Sequence, residues 1–420
     1  METADLPLNH NKPLVMHIDL NSCFATAMQQ AFPHLRGKPL AVAAYNSPRG
    51  CILAPSIEAK RFGIKTGMRV MEGKHLYKDL IIRTTDVQLV RDVHVRLKRI
   101  TRDYSTIVSP KSIDEVVIDF NPVQIVIRRP LTEIASEIKA RIKKEIGEWI
   151  VCSVGIGTNR FLAKTAAGLH KPNGLDVINH QNIRHIYSKL KLVDLNGINH
   201  RYQARLNING IFTPLQLLDA PLDLLKKQVF QSITGFYWYR RIRGYEIDNV
   251  EFLRKSYGQD YALGKQTSDP EELSRILMKL CEKMGRRLRR SSKAANGIHI
   301  AILYNDYSFW HRQSLMNQPM YATRDLYRGA QLVFNQQPYK KVVAKLSVAC
   351  YDLIPSAKSQ LSLFDEGDDK LRKVSDAMDS INNKYGEFSI TPALMIGLDN
   401  TVIDRIAFGA VKELEDLYLK

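Results

Sequence analysis

Leu14-Val15-Met16-His17-Ile18-Asp19-Leu20-Asn21-Ser22-Cys23-Phe24 is the stretch on which the reading of this chain turns. A short apolar run ending in an acid is the pattern of a buried strand whose carboxylate emerges at its tip. About a hundred residues on, Ser112-Ile113-Asp114-Glu115 sets two acids ahead of a second apolar run, Val116 to Phe120. A third stretch, Ser153-Val154-Gly155-Ile156-Gly157-Thr158-Asn159-Arg160, continues to Lys164 and to Lys171-Pro172-Asn173-Gly174. The chain therefore offers three acids suited to cations and, after them, lysines suited to phosphate.

Outward from these anchors, Pro39 to Ala44 and Cys51 to Ala54 read as strands, and Ser56 to Phe62 as a helix closed by Gly63. Val87 to Thr106 has the spacing of an amphipathic helix, Leu131 to Ile146 of another, and Ile150 to Gly155 of a strand, which together predict a mixed α/β domain. Residues 179–245 read as a small helical module. Within it Leu195-Asn196-Gly197-Ile198-Asn199 looks like a helix-hairpin-helix turn whose backbone N–H groups could hold a DNA phosphate. The competing reading is an ordinary αα-turn, because Asn199 stands where Gly is commoner. Phe236 to Tyr239, beside Arg240, Arg241 and Arg243, are read mostly as core.

Residues 251–350 hold 17 Lys and Arg against 8 Asp and Glu. There Asp269-Pro270-Glu271-Glu272 opens a helix with an apolar face at Leu273, Ile276, Leu277, Leu280, Met284 and Leu288. Arg286, Arg287, Arg289, Arg290 and Lys293 crowd its end, partly in keeping with the helix dipole. Ile298 to Leu303 and Val342 to Tyr351 read as strands of a sheet backed by helices. Beyond Tyr351 the chain turns acidic and contains Gln360-Leu361-Ser362-Leu363-Phe364.

At 420 residues the chain is too long for one core, and its net charge of +18 with pI near 9.6 makes nucleic acid the expected partner. Five dispersed cysteines argue against a disulfide framework and a zinc site and fit a reducing cytoplasm. No secretion signal is read at the N-terminus, and no apolar run approaches the roughly 20 residues of a membrane span.

Nucleotidyl transfer joins a 3′-oxygen to an α-phosphate and expels pyrophosphate, so charge neutralisation and in-line positioning are the protein's task. Asp19, Asp114 and Glu115 are the candidates for holding two Mg²⁺ ions, which prefer hard oxygen ligands. Adjacent strand residues point to opposite faces, so Asp114 and Glu115 converge only if the chain bends there or Glu115 reaches around. Thr158 or Asn159 N-caps a helix running to about Leu169, with Arg160 and Lys164 on one face and Lys171 just beyond.

Taken together these segments resemble the Y-family (translesion) DNA polymerases, the UmuC/DinB group, over about residues 14–355. Asp19 to Phe24 is similar to the family's first motif. The resemblance implies Asp19 as a metal ligand, helped by the Leu20 carbonyl, and Phe24 as a steric gate against the ribonucleotide 2′-OH. Ser112 to Glu115 matches the Ser-Ile-Asp-Glu motif, and Gly155 to Gly174 the nucleotide-binding segment with Arg160, Lys164 and Lys171. Gly50 to Ala54 and Glu58 to Gly63 look closest to the UmuC branch. Ile57 and Lys60 stand where many DinB-type members have Tyr and Arg, which puts triphosphate affinity in question. Asn21, in place of a second acid, also follows the UmuC pattern.

The family implies an α+β right-hand architecture. Its parts would be a palm at 13–22 and 80–178, small fingers at 23–79, a helical thumb at 179–245, an α/β little finger at 250–353 and a tail at 354–420. DNA-binding positions would be Gly197 and Asn199 in the thumb and Arg254, Lys255 and Ser256 at the opening strand of the little finger. Gln360, Leu361, Leu363 and Phe364 resemble the bacterial sliding-clamp-binding peptide. The resemblance further implies error-prone synthesis on primed template DNA from dNTPs without proofreading, and on the UmuC side a UmuD-like subunit and a recombinase filament. The rival readings are a non-catalytic polymerase-like adaptor for DNA and clamp, and a nucleotide cyclase on a similar palm.

Overall fold

A computed structural model describes residues 6–250, 254–356, 366–399 and 401–402; the described residues up to 250 form one compact unit and those from 254 onward a second. The first is organised by β1 (Val15–Leu20), with a three-stranded sheet of β2 (Leu40–Ala43), β3 (Ile52–Pro55) and β4 (Ile81–Thr84) beside it in sequence. Then follow β5 (Ile107–Pro110), β6 (Glu115–Asp119), β7 (Cys152–Gly157) and β8 (Leu175–Val177). The larger sheet has the order β5-β6-β1-β7-β8, with β1 antiparallel to both neighbours.

β1 is buried on both faces, which explains its unbroken apolar run. Met16, Ile18 and Leu20 face a core shared with Val90, Val93, Leu97 and Ile100 of the helix Val87–Arg102 and with Ile134 and Ile138 of the helix Leu131–Arg141. His17 and Asp19, of opposite parity, belong to the other side. There the helix Arg160–Leu169 closes on β7, and Asn159 caps it by accepting from the Leu162 N–H at 2.7 Å. Gly155 allows this approach: a Cβ there would lie 2.1 Å from the Ala163 carbonyl oxygen.

The small sheet, ordered β3-β2-β4, has its own core of Ala41, Ala43, Ile52, Ile64, Val70, Leu80 and Ile82. The helix expected at Ser56 to Phe62 spans Ile57–Arg61, capped by Ser56. Residues 183–241 are mainly helical around buried Tyr187, Phe230, Trp238 and Tyr239; of Phe236 to Tyr239, Trp238 and Tyr239 are core, Phe236 is half-buried and Tyr237 is exposed. Arg243 is buried with them, its guanidinium 3.7 Å over the Tyr239 ring.

In the second unit β9 (Ser256–Thr267), β10 (Lys293–Tyr304), β11 (Phe309–Met320) and β12 (Val343–Pro355) form an antiparallel sheet of order β11-β10-β12-β9. The helices Pro270–Arg290 and Thr323–Phe334 pack against it. The expected apolar face of the first is buried throughout. Four of its cationic residues, Lys279, Lys283, Arg286 and Arg289, are buried too, because residues of the stretch 379–402 lie on them, whereas Arg275 and Arg287 are half-buried and Arg290 is exposed. Arg289 takes both oxygens of Asp379 at 2.6 and 3.0 Å, and Arg286 reaches Glu387 at 3.0 Å. Lys279 donates to the Leu398 carbonyl and Lys283 to that of Val402. Part of the basic cluster is therefore spent inside this unit. No described helix is long and apolar enough to cross a membrane.

Candidate active site

The antiparallel register of β1 and β6 sets Asp19 directly opposite Glu115. Directly opposed residues share a face, so the two carboxylates meet although 95 residues of chain separate them. The difficulty with Asp114 is resolved by where β6 starts. Residues 112–114 form a bend and the strand begins at Glu115, so strict alternation does not apply to the pair. The Leu20 N–H donates to the Asp114 carbonyl at 2.9 Å, which ties the bend to the end of β1, and the Ser112 hydroxyl donates to the Asp114 carboxylate at 2.5 Å.

Asp19, Leu20, Phe24, Lys60, Asp114 and Lys171 line one cavity of about 510 Å³, together with Asn21 and Ile57. Lys171 Nζ lies 2.6 Å from Asp19 Oδ2, and Lys164 Nζ holds both oxygens of Glu115 at 2.9 and 2.8 Å. Burial pushes the Asp19 carboxyl up to about 6 against the pull of Lys171, and burial likewise raises Asp114. For Glu115 the burial effect is outweighed by the charge His17 carries when protonated and by the hydrogen bond and charge of Lys164, and the carboxyl lies below its ordinary value. Burial, then the charge of Lys171, lowers Lys60. Two acids whose ionisation burial disfavours, beside a third, call for compensating positive charge. Their carboxylates are hard-oxygen donors of the kind that fit a divalent cation such as Mg²⁺.

The remaining expected residues lie elsewhere. Arg160 does not line the cavity; its side chain pairs with Glu246 at 3.1 Å and its backbone N–H donates to the same carboxylate at 3.0 Å. Gly197 takes a left-handed φ of 93°, and Asn199 caps the helix His200–Ile208 by accepting from the Tyr202 N–H at 3.0 Å. Arg254, Lys255 and Ser256 are exposed at the start of β9 in the second unit. Gln360, Leu361, Leu363 and Phe364 lie outside the described residues.

Sequence reasoning passed over His17. It is buried, both ring nitrogens lack a hydrogen-bond partner, and Nε2 stands 3.9 Å from Glu115. His17, Asp19 and Glu115 each offer a ligand atom, all within 4.8 Å of one another. Burial pushes the imidazole down to about 4, so it is neutral at pH 7 and Lys164 is the cation that holds Glu115 there. The signal was present: His17 is two residues from Asp19 and so shares its face.

A carboxylate cluster at the edge of a lysine-bearing cavity, on the middle strand of an antiparallel-centred sheet, is an arrangement suited to metal-assisted phosphoryl chemistry. Residues 18–168 match the impB/mucB/samB family, and residues 254–363 match that family's C-terminal domain. DNA polymerase IV of Pelotomaculum thermopropionicum is 32% identical over 91% of this chain and 95% of its own. DNA polymerase IV 1 of Bacillus subtilis is 30% identical over 89% and 91%. Among solved structures, a Y-family DNA polymerase chimera built on Dbh covers 81% of this chain and 99% of its own, with a TM-score of 0.72 at 22% identity. An insertion ternary complex of Dbh DNA polymerase gives a TM-score of 0.58 at 21% identity, with the same coverage. The chain belongs to the impB/mucB/samB family, the Y-family of DNA-directed DNA polymerases. The right-hand polymerase fold expected above is the fold these neighbours share.

Proposed function

We propose that this polymerase performs error-prone translesion synthesis on primed template DNA by two-metal nucleotidyl transfer, without proofreading, in SOS-type damage tolerance in the cytoplasm. The observation that carries the reading is the convergence of Asp19, Asp114 and Glu115 beside a cavity lined by Lys60 and Lys171. Asp19, Asp114, Glu115 and the Leu20 carbonyl would hold two Mg²⁺ ions, which when bound activate the attacking 3′-oxygen and stabilise the leaving pyrophosphate. Lys60, Lys171 and Lys164 bind and balance the triphosphate, while Phe24 walls off the sugar edge. Arg160, whose side chain pairs with Glu246 in this structure, is the further cation proposed for the triphosphate. Ile57 supplies no hydroxyl to the phosphates, which places more of their binding on Lys60 and Lys171.

In this reading residues 13–22 and 80–178 are the palm, 23–79 the fingers, 179–245 the thumb and 250–353 the little finger. Gly197 and Asn199 present backbone amides to DNA, and Arg254, Lys255 and Ser256 hold template phosphates without reading bases. Gln360, Leu361, Leu363 and Phe364 bind the sliding clamp. A UmuD-like subunit and a recombinase filament are the further partners suggested by the UmuC-like fingers. Primer extension tests the core of the proposal. The purified protein with Mg²⁺ should extend a primed template, and Asp114→Asn should retain DNA binding while extension falls by about 10³-fold or more. Normal extension by that variant would remove Asp114 from the metal set.

A further inference from the structure

Lys171 reaches Asp19 from a loop that has no strand of its own before β8, so something must hold that loop at the tip of β1. Lys139, whose ammonium donates to the Asn173 and Gly174 carbonyls at 2.6 and 3.1 Å, and the Val154 N–H, which donates to the Gly174 carbonyl, hold its far end, and Asn21 ties it to β1. Asn21 is 4% exposed and two residues beyond Asp19, and its side-chain oxygen accepts from the Asn173 backbone N–H at 2.8 Å and from the Ser153 hydroxyl at 3.1 Å. Ser153 Oγ in turn accepts from the Gly174 N–H at 3.2 Å. A backbone N–H can only donate, so the amide oxygen and not its NH₂ must face Asn173. The NH₂ is left toward the Asp19 carbonyl, 3.4 Å away. The backbone of Asn21 is itself fixed, its N–H donating to the Val151 carbonyl at 2.7 Å. β1, β7 and the loop 171–174 are thus tied at one buried amide.

We propose that Asn21 is a positioning residue for nucleotide binding: it sets the place of Lys171 by anchoring the loop 171–174 to the catalytic strand. The inference rests on the reading of Lys171 as a triphosphate ligand. Asn21 carries out this anchoring as a neutral group. An aspartate would accept the same two hydrogen bonds but would add a fourth negative charge beside Asp19, Asp114 and Glu115. A leucine of similar volume would accept neither, leaving the Asn173 N–H and the Ser153 hydroxyl unpaired.

The test is the dissociation constant of the incoming dNTP on a primer–template whose 3′ end lacks its hydroxyl, so that no turnover is needed. Asn21→Leu should weaken dNTP binding about tenfold, the loss of one charge-assisted contact. Lys171→Met should weaken it at least as much, and the double variant little more than Lys171→Met alone, since both act through one ammonium group. Asn21→Asp should stay within about threefold of the parent. Unchanged affinity in Asn21→Leu, or a full additional loss when it is combined with Lys171→Met, overturns the positioning role while leaving Lys171 in place. Unchanged affinity in Lys171→Met overturns the triphosphate reading, and the inference with it. If Asn21→Leu does not fold, Ser153→Ala carries the same cycle with an expected loss of about threefold, and its additivity with Lys171→Met decides the matter.

Discussion

Phe24 shows how one side chain can be recognised by type and yet owe its function to place. It sits in the helix Cys23–Ala31, immediately after the Asp19 strand, and is 1% exposed while lining the same cavity as Asp19 and Lys171. Phe24→Ala should raise ribonucleotide incorporation relative to deoxyribonucleotide by roughly 10- to 200-fold, the range that removing a steric contact allows. Unchanged sugar discrimination in single-nucleotide insertion would clear Phe24 of the gate. Truncating a buried Phe costs about 3–5 kcal/mol, so Phe24→Leu, with a smaller cavity, is the companion variant. Asp19, Asp114 and Glu115 could be picked out in the sequence because acids at the ends of apolar runs are conspicuous. His17 and Asn21 could not be given a role there, since a histidine or an asparagine near a strand end has many ordinary uses. What marks them is burial and the neighbours they meet.

The helix Pro270–Arg290 illustrates the limits of periodicity. Its start at Asp269 and its apolar stripe were legible, because capping chemistry and a 3.6-residue repeat are local properties. The fate of its basic stripe was not, since the groups that neutralise it come from about 90–120 residues further along the chain. Arg289 is 6% exposed, and its bidentate partner is Asp379, with Glu282 a further 3.8 Å contact. Asp379→Ala should therefore cost about 3–5 kcal/mol, because it strips a buried guanidinium of its main counter-charge. A shift in the urea unfolding midpoint of the second unit measures this; a change below about 0.5 kcal/mol, the size expected of a surface pair, would show that the contact contributes little.

Across the whole chain the excess of 18 positive charges pointed correctly to a polyanion-handling protein, although it did not say which cations are available to DNA. Arg243, Arg286 and Arg289 are consumed in cores, whereas Arg254 and Lys255 are exposed. For the proposed clamp contact, Leu363→Ala combined with Phe364→Ala should spare distributive primer extension while removing stimulation by the sliding clamp, since the two side chains would fill its apolar pocket. Stimulation that persists in that double variant argues against the peptide.

The strands and helices that could be read, the acid-tipped motifs and the cationic character follow from short-range pattern, because capping, periodicity and charge are written within a few residues of one another. β4, β5, β8, β11 and the helix Thr323–Phe334 were not anticipated from it. The site is a matter of register and closure. Asp19 meets Glu115 through the pairing of β1 with β6, Asp114 joins them through a bend before the strand, and Lys171 comes from a loop whose Asn173 N–H donates to the Asn21 side chain. Those pairings link residues roughly 100–150 positions apart, and their geometry comes into being only when the sheet has formed and the helix Arg160–Leu169 has settled against Gly155.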